Sequence, residues 1–230
     1  MIQIDHLTKR YGRSRGVTDL TLHVPEGGCF GFIGPNGAGK STTIRTLLGL
    51  LSPTAGSARI LGLDCVRERK AILAQVGYMP SEAMFYPDMR VGQVIRLSAN
   101  LRKMDCRAQA AALCEALELD TKKRIRELSL GNRKKVSIVC AMQHRPRLYI
   151  LDEPTSGLDP LVQRAFWSEL EARRREGATV FLSSHVLYEV QRYCHRAAII
   201  REGRLVVEGT TQELDIENRF FDYYEGRAEL

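Results

Sequence analysis

The sequence predicts an α/β fold with a mainly parallel sheet, an antiparallel β subdomain and an inserted α-helical subdomain. Three observations support this prediction. Short apolar runs typical of buried strands occur on both sides of the middle of the chain. The middle itself is rich in helix-forming residues and lacks strand signals. A glycine-rich loop separates the first buried run from the first helical pattern, which is the order that a phosphate-binding site requires.

The predicted strands form two groups, separated by a helical segment of roughly 60 residues. We expect one domain over residues 1–230, with an α/β core at about 1–80 and 146–210, a helical subdomain at about 81–145 and a C-terminal tail at about 211–230. Four aromatic residues at 220–224 suggest that the tail packs on the domain or on a partner. Strands are expected near 2–7, 18–24, 29–33, 57–61, 75–79, 148–151, 179–182, 197–200 and 205–207, and the first helix at 41–51.

Composition limits the possible classes of protein. The chain has 230 residues, of which 44% are hydrophobic and 27% charged, as in an ordinary folded domain. The net charge of +7 would suit nucleic acid, an anionic membrane surface or nucleotide phosphates, and does not choose among them. No apolar run is long enough to span a membrane and no signal-peptide pattern is present. We therefore expect no membrane span and no secretion of the chain itself. Six cysteines without metal-binding spacing indicate scattered reduced thiols, as in the cytosol.

The loop after the strand at 29–33 reads GPNGAGKS and fits the phosphate-binding pattern G-x-x-x-x-G-K-[ST]. Its glycines let backbone N–H groups point at phosphate oxygens, and the following helix adds its positive N-terminal end. Lys40 supplies a charge for the β- and γ-phosphates, and Ser41 supplies a hydroxyl for Mg²⁺. The predicted ATP contacts in this segment are Gly34, Asn36, Gly37, Ala38, Gly39, Lys40, Ser41 and Thr42.

Two adjacent acids end the apolar run LYIL at 148–151. Because successive strand residues point to opposite sides, Asp152 and Glu153 are expected to have different roles. Asp152 is predicted to hold Mg²⁺, and Glu153 to face the water that attacks the γ-phosphate. An acid pair about a hundred residues after a phosphate loop predicts hydrolysis of the nucleotide as well as its binding.

The segment LSLGNRKK at 128–135 resembles the LSGGQ signature of the ABC transporter ATPase family, with Leu130 and Asn132 replacing the third and fifth letters. The resemblance covers about residues 1–210 and implies a RecA-like P-loop NTPase core. It also implies that Ser129, Gly131 and Asn132 of one subunit contact the ATP that a second subunit binds. A serine and a glycine at the start of a helix are suited to an anion site on physical grounds alone.

Further residues resemble family motifs. By that resemblance Asp159, in SGLD at 156–159, lies in the loop that communicates across the dimer interface, and His185 contacts the γ-phosphate. Tyr11 looks like the aromatic residue that stacks on adenine. Ser81 stands where the family usually has a glutamine that contacts Mg²⁺, and Glu82 follows it; we therefore expect Ser81 or Glu82 to complete the Mg²⁺ shell.

These features predict an ATPase that converts ATP and water to ADP and phosphate. The resemblance implies a homodimer, or a pair with a related ATPase, that encloses ATP. It also implies that this pair drives export by a separate transmembrane permease from the cytoplasmic face of the cell membrane. Phe85, Tyr86, Pro87 and Val91 are candidate contacts with that permease. A non-transport ABC ATPase acting on nucleic acid or ribosomes and a P-loop kinase are the alternatives. Nucleic acid is not expected as a partner, because the chain lacks room for the coiled coil or DNA-binding domain that such proteins add.

Overall fold

The computed structural model describes residues 1–12, 14–225 and 227, and it confirms the predicted α/β class. The strands in these residues form one six-stranded and one four-stranded sheet. The strands are β1 (Ile2–Tyr11), β2 (Ser14–Val24), β3 (Gly28–Ile33), β4 (Ala55–Ile60), β5 (Leu63–Asp64), β6 (Val76–Met79), β7 (Leu148–Asp152), β8 (Thr179–Ser184), β9 (Arg196–Arg201) and β10 (Arg204–Thr210). The helices are α1 (Lys40–Leu47), α2 (Arg69–Gln75), α3 (Val91–Leu101), α4 (Arg107–Ala116), α5 (Leu130–Met142), α6 (Pro160–Arg175), α7 (Leu187–Tyr193), α8 (Thr211–Leu214) and α9 (Ile216–Glu225).

The six-stranded sheet has the order β10-β9-β3-β8-β7-β6. Its strands pair in parallel except at the edge, where β10 runs antiparallel to β9. All residues of β7 and β8 are buried, as expected for strands covered on both faces. Because β3, β7 and β8 are adjacent and parallel, the loops that follow them leave from the same edge of the sheet. That edge brings the glycine-rich loop, the acid pair and His185 together.

The four-stranded sheet has the order β2-β1-β4-β5 and is antiparallel throughout. Its inward side chains share a core with one face of the large sheet and with α1. Members of this core include Ile4, Leu20, Phe32, Ile44 and Ile150. Helix α1 therefore packs against both sheets.

Helices α3, α4 and α5 and a short 3₁₀-helix (Ile125–Glu127) lie in the segment between β6 and β7. Their apolar faces join the second core, on the opposite side of the large sheet, through residues such as Val91, Leu113, Val139 and Tyr149. The C-terminal end of α5 is tied to the sheet, because His144 Nε2 lies 3.3 Å from the carbonyl oxygen of Val76. Val91 is fully buried in this core, so it is not available as the partner contact that the sequence suggested.

The first helix is shorter than the apolar spacing predicts. It ends at Leu47 instead of continuing to residue 51. Gly49 adopts a φ of +64°, a left-handed conformation that helices commonly use to terminate, and the N–H of Leu50 bonds back to the carbonyl of Arg45. Leu47 and Leu48 still reach the core, which explains why the periodicity runs past the end of the helix.

The aromatic tail forms α9, and part of it packs on the domain. Phe220 and Tyr223 are buried in the core that contains α3–α5, whereas Phe221 is exposed. Residues 226 and 228–230 of the predicted tail lie outside the described residues. Among the residues that the structure describes, no helix combines the length and hydropathy needed to cross a bilayer.

Candidate nucleotide-hydrolysis site

The glycine-rich loop connects β3 to α1 and surrounds an open space. Gly37 and Gly39 adopt φ values of +83° and +109°, where an L side chain is strained. Gly34 is needed for a different reason, because a Cβ at this position would lie 2.5 Å from the carbonyl oxygen of Ile200. The loop is fixed further by an N–H···O bond from Gly203 to Ala38 at 2.9 Å. The backbone can thus curve around a phosphate without obstruction by side chains.

Lys40, the first residue of α1, is buried and turns back toward this loop. Its Nζ donates to the carbonyl oxygens of Gly34 at 2.6 Å and Pro35 at 3.3 Å. It also lies 3.2 Å from Oε1 of Glu153, so the two side chains form a largely buried ion pair. The predicted phosphate-binding lysine and the predicted base therefore meet in the same cleft.

The acid pair lies where β7 ends, and its two members have different surroundings. Asp152 is buried and accepts a hydrogen bond from Ser183 Oγ at 2.9 Å. Glu153 has a φ of +52°, unusual for a residue other than glycine, and its N–H bonds the carbonyl of Ser183 at 2.9 Å. This backbone conformation turns the Glu153 side chain toward the glycine-rich loop, away from the path of the strand.

His185 follows β8 and contacts the other oxygen of the same carboxylate. Its Nδ1 lies 2.6 Å from Oε2 of Glu153, and about half of its side-chain surface is exposed. Glu153 is thus held between a lysine and a histidine, one at each carboxylate oxygen. A base oriented by two partners beside a phosphate loop has the geometry needed to position a water molecule.

The cleft has a volume of about 220 Å³. Its lining includes Ser81, from the loop that directly follows β6. Glu82 is exposed and does not line it, so of the two candidates Ser81 is the one that faces the glycine-rich loop. Ser41 and Ser81 line the cleft and offer neutral oxygens, whereas Asp152 precedes Glu153 and is buried outside the lining. Hydroxyl and carboxylate oxygens of this kind suit Mg²⁺ together with phosphate and water. The lining residues are Gly16, Pro35, Asn36, Gly37, Gly39, Lys40, Ser41, Thr42, Ser81 and Glu153.

The signature residues lie elsewhere, at the start of α5. Ser129 caps this helix, accepting a hydrogen bond from the N–H of Asn132 at 3.3 Å, and it remains exposed. Ser129, Gly131 and Asn132 are absent from the lining of the cleft. Within one copy of the chain, the signature residues therefore do not contact the cleft formed by the phosphate loop.

Two other predicted residues are near the surface. Asp159 caps α6, with Oδ1 accepting from the N–H groups of Leu161 at 3.1 Å and Val162 at 3.0 Å. Tyr11 ends β1 and is 42% exposed, with Lys9 Nζ 5.5 Å from its ring centroid. A Cβ on Gly16, which lines the cleft, would lie 3.4 Å from the Tyr11 ring, so this tyrosine stands at the mouth of the cleft.

Two buried charges next to the site were not found from the sequence. Lys134 of α5 donates to the carbonyl oxygens of Glu153 and Ser156, and burial lowers its pKa. Glu189 of α7 accepts from Ser184 Oγ at 3.2 Å, and burial raises the pKa of its carboxyl group. The three basic residues at 133–135 resemble a solvated helix start, so nothing in the local pattern indicates that Lys134 points inward.

Comparison with known proteins identifies the family. The sequence model of the family described as "ABC transporter" matches residues 17–156. The Nod factor export ATP-binding protein I of Paraburkholderia xenovorans is 37% identical over 218 residues, covering 93% of this chain and 72% of that protein. A solved structure of an ATP-binding subunit of an ABC transporter superposes with a TM-score of 0.88 at 31% identity, over 96% of this chain and 93% of the other. The fold is shared, at 20% identity and a TM-score of 0.83, by a dimeric ATP-binding cassette in a post-hydrolysis state bound to ADP and Pi, over 91% of this chain and 98% of the other.

Proposed function

This chain belongs to the ABC transporter family, and we propose that it is the ATP-binding and ATP-hydrolysing subunit of an exporter whose membrane-spanning subunit is a separate chain. The observation that carries the hydrolytic part is the position of Glu153. Its carboxylate lies 3.2 Å from the lysine of the phosphate loop and 2.6 Å from His185. Simple nucleotide binding does not require a carboxylate held in this place, whereas activation of water does.

In the proposed reaction, the backbone N–H groups of the glycine-rich loop bind the phosphates, and Lys40 exchanges its carbonyl contacts for phosphate oxygens. Glu153, released from Lys40, orients the attacking water and accepts its proton. His185 keeps hold of the Glu153 carboxylate and contacts the γ-phosphate. Ser41, Asp152 and Ser81 would hold Mg²⁺, which supplies charge neutralisation at the β- and γ-phosphates when bound.

Two copies of the chain, or one copy and a related ATPase, would complete the site. The cleft of about 220 Å³ is smaller than the roughly 300–1,000 Å³ of pockets that enclose a ligand by themselves. Ser129, at the start of α5, and Asp159, at the start of α6, are exposed and free to face another subunit. We expect the signature of each subunit to cover the ATP of the other and to exclude water from it.

The membrane partner is proposed to bind beside the cleft. Met84 and Tyr86, which follow the Ser81 loop, are 93% and 72% exposed, whereas Phe85 between them packs against the core. Exposed apolar side chains adjacent to a residue that lines the nucleotide site offer a direct route between ATP and a partner helix. Export as the direction of transport is proposed from the similarity to the Nod factor export protein.

The test of hydrolysis compares Glu153→Gln with the wild type. Phosphate release from ATP, with no acceptor added, should fall by about 100-fold or more, because an amide cannot accept the proton of water. Binding of ATP should persist, since the glycine-rich loop is unchanged. Glu217→Gln on the exposed part of α9 is the matched control and should hydrolyse ATP as the wild type does. Equal rates for Glu153→Gln and wild type would refute the assigned role.

The test of the transporter role uses the same variant as bait. With ATP, Glu153→Gln should remain in the ATP-bound dimer and recover one stoichiometric membrane-spanning protein from detergent-solubilised membranes. Met84→Ser and Tyr86→Ser together should reduce this recovery without changing ATP binding. Recovery of ribosomes or nucleic acid, with no membrane protein, would instead support the non-transport alternative.

A further inference from the structure

Lys134 makes two short contacts that link the signature helix to the segment containing Glu153. The residue lies in the second turn of α5, and its side chain is buried. Its Nζ donates to the carbonyl oxygen of Glu153 at 2.6 Å and to that of Ser156 at 2.7 Å. Both acceptors belong to the backbone that follows β7, so one side chain holds the polypeptide at two points three residues apart.

Burial lowers the pKa of Lys134, and three nearby carboxylates oppose this effect in part. Glu153 and Asp152 from the end of β7, and Glu189 from α7, act on it electrostatically and oppose the effect of desolvation. An ammonium group has three donors, and two of them are satisfied by the carbonyl oxygens. Charge-assisted hydrogen bonds of this kind are stronger than neutral ones, so the contacts constrain the backbone strongly.

The backbone at Glu153 is in a conformation that needs such support. Its φ of +52° is unfavourable for a residue with a Cβ, and such conformations persist only where their surroundings impose them. On one side the N–H of Glu153 bonds to the carbonyl of Ser183 in β8. On the other side the carbonyl of Glu153 bonds to Lys134. The orientation of the carboxylate toward the phosphate loop thus depends on α5 as well as on the sheet.

A second contact joins the same two segments. A Cβ on Gly131 would lie 3.0 Å from the carbonyl oxygen of Gly157, which places the signature directly on the loop after Ser156. Movement of α5 would thus be transmitted to Glu153 through Lys134 and to the loop that follows it through Gly131.

We propose that Lys134 is a positioning residue that couples the two ATP sites of the dimer. The proposal rests on the proposed function: the signature of a subunit covers the ATP of its partner, whereas Glu153 of that subunit acts on its own ATP. When the signature helix docks on the partner's nucleotide, Lys134 sets the backbone of Glu153 for hydrolysis at the other site. Closure at one site is thereby required for correct geometry at the second.

The first measurement separates binding from turnover. Lys134→Met keeps the length of the side chain and removes its donors, and it should lower kcat by about 10- to 100-fold, since small displacements of a catalytic group have effects of this size. Affinity for ATP should stay within about twofold of the wild type, because the phosphate loop is not touched. Lys134→Arg, which keeps charged donors, should recover much of the rate. Equal loss in the Met and Arg variants, or a loss of ATP binding with unchanged kcat, would overturn the proposal.

The second measurement uses mixed dimers, purified with two different tags, in single-turnover hydrolysis. When Lys134→Met is in one subunit and Glu153→Gln in the other, the remaining Glu153 lacks its support and hydrolysis should be slow. When both substitutions are in the same subunit, the intact Glu153 belongs to the unchanged partner. Hydrolysis should then match that of a dimer with Glu153→Gln in one subunit and no other substitution.

The two arrangements distinguish positioning of Glu153 from damage to the signature. If Lys134→Met merely disturbed the signature, the result would be reversed, because the substitution would then affect the partner's site. If Lys134→Met does not fold, Lys134→Leu, which also lacks donors, replaces it in both measurements. Absence of hydrolysis in the wild type would refute the proposed function, whereas a wild-type rate with the reversed pattern would refute only this coupling.

Discussion

Each carboxylate oxygen of Glu153 has its own partner, Lys40 at 3.2 Å and His185 at 2.6 Å. An ion pair this buried is costly to break without a replacement, because each charge would be left in a poorly solvated place. In the proposed reaction the phosphate oxygens of ATP replace Glu153 as the partner of Lys40, so nucleotide binding and release of Glu153 are expected to occur together. We therefore propose that Glu153 is a counter-ion before ATP binds and a base afterwards.

Ser81 and Glu82 provide a test at the scale of single residues. Ser81 lines the cleft, whereas Glu82 is exposed outside it. Ser81→Ala should therefore raise the Mg²⁺ concentration for half-maximal ATP hydrolysis by roughly 10-fold, the low end of effects seen at supporting metal contacts. Glu82→Ala should leave it unchanged and is the matched control. A Mg²⁺ titration of the hydrolysis rate measures both. If neither variant changes the Mg²⁺ requirement, this loop does not take part in holding the ion.

At the scale of elements, Asp159 at the start of α6 has two possible roles, as the cap of the helix and as a contact with a second subunit. Asp159 caps this helix with two hydrogen bonds to backbone N–H groups. We expect Asp159→Ala to lower the free energy of unfolding by about 1 kcal/mol, the usual value of such a cap. In a chain of this size that corresponds to a Tm lower by about 2–4 °C, measurable by calorimetry.

Asp159→Asn separates the cap from a contact with a second subunit. Asparagine caps helices about as well as aspartate, so stability should remain close to the wild type. If hydrolysis also remains normal in Asp159→Asn and falls only in Asp159→Ala, the residue acts through the helix. A stable Asp159→Asn protein with slow hydrolysis would instead indicate that the charge is needed across the dimer interface.

The elements that carry the site were the most predictable part of the fold. Strands β3, β7 and β8 are short, apolar and completely or almost completely buried, so composition alone indicates them. The motifs at their ends predicted which side chains meet, because adjacent parallel strands deliver their loops to one edge. Helix α2 and the two-residue strand β5 were not predicted, since each is too short to show a periodic pattern.

Long-range contacts explain what the sequence does not reveal about the site. Lys134 is 19 residues from Glu153 in the chain, and its inward direction depends on how α5 packs against the end of β7. The positive φ of Glu153 likewise follows from hydrogen bonds to β8 and α5, not from local propensity. The sequence motifs predicted the groups that are proposed to react, whereas the contacts that support those groups became visible only in three dimensions.

At the scale of the whole molecule, the contacts between the helical segment and the large sheet decide how the signature and the nucleotide site are held relative to each other. Their apolar contacts form one continuous core. Buried polar contacts also join them, among which are Lys134 near the acid pair and His144 at the far end of α5. The first contact lies in the proposed site, whereas the second is remote from it and therefore reports on stability alone.

His144 makes the stability of the molecule depend on pH. Its side chain is buried, and desolvation, assisted by the charge of Arg102, lowers its pKa from 6.5 to about 4. The unfolded chain therefore binds a proton near pH 6.5, while the folded protein does not until about pH 4, so the stabilisation is complete above pH 6.5 and is lost as the pH falls toward 4. Between pH 7.5 and 5, this single group should lower the free energy of unfolding by about 2 kcal/mol.

The measurement is urea unfolding at several pH values for the wild type and for His144→Gln. Glutamine keeps an N–H donor for the carbonyl of Val76 but does not titrate, so the variant should lose less stability between pH 7.5 and 5 by roughly the 2 kcal/mol assigned to His144. Gln212→Ala is the control, because Gln212 is exposed and does not titrate, so this substitution should leave the pH profile parallel to that of the wild type. Parallel pH profiles for the wild type and His144→Gln would show that His144 is protonated in the folded protein as readily as in the unfolded chain. The junction between the helical segment and the sheet would then be more open to water than the buried position of His144 implies.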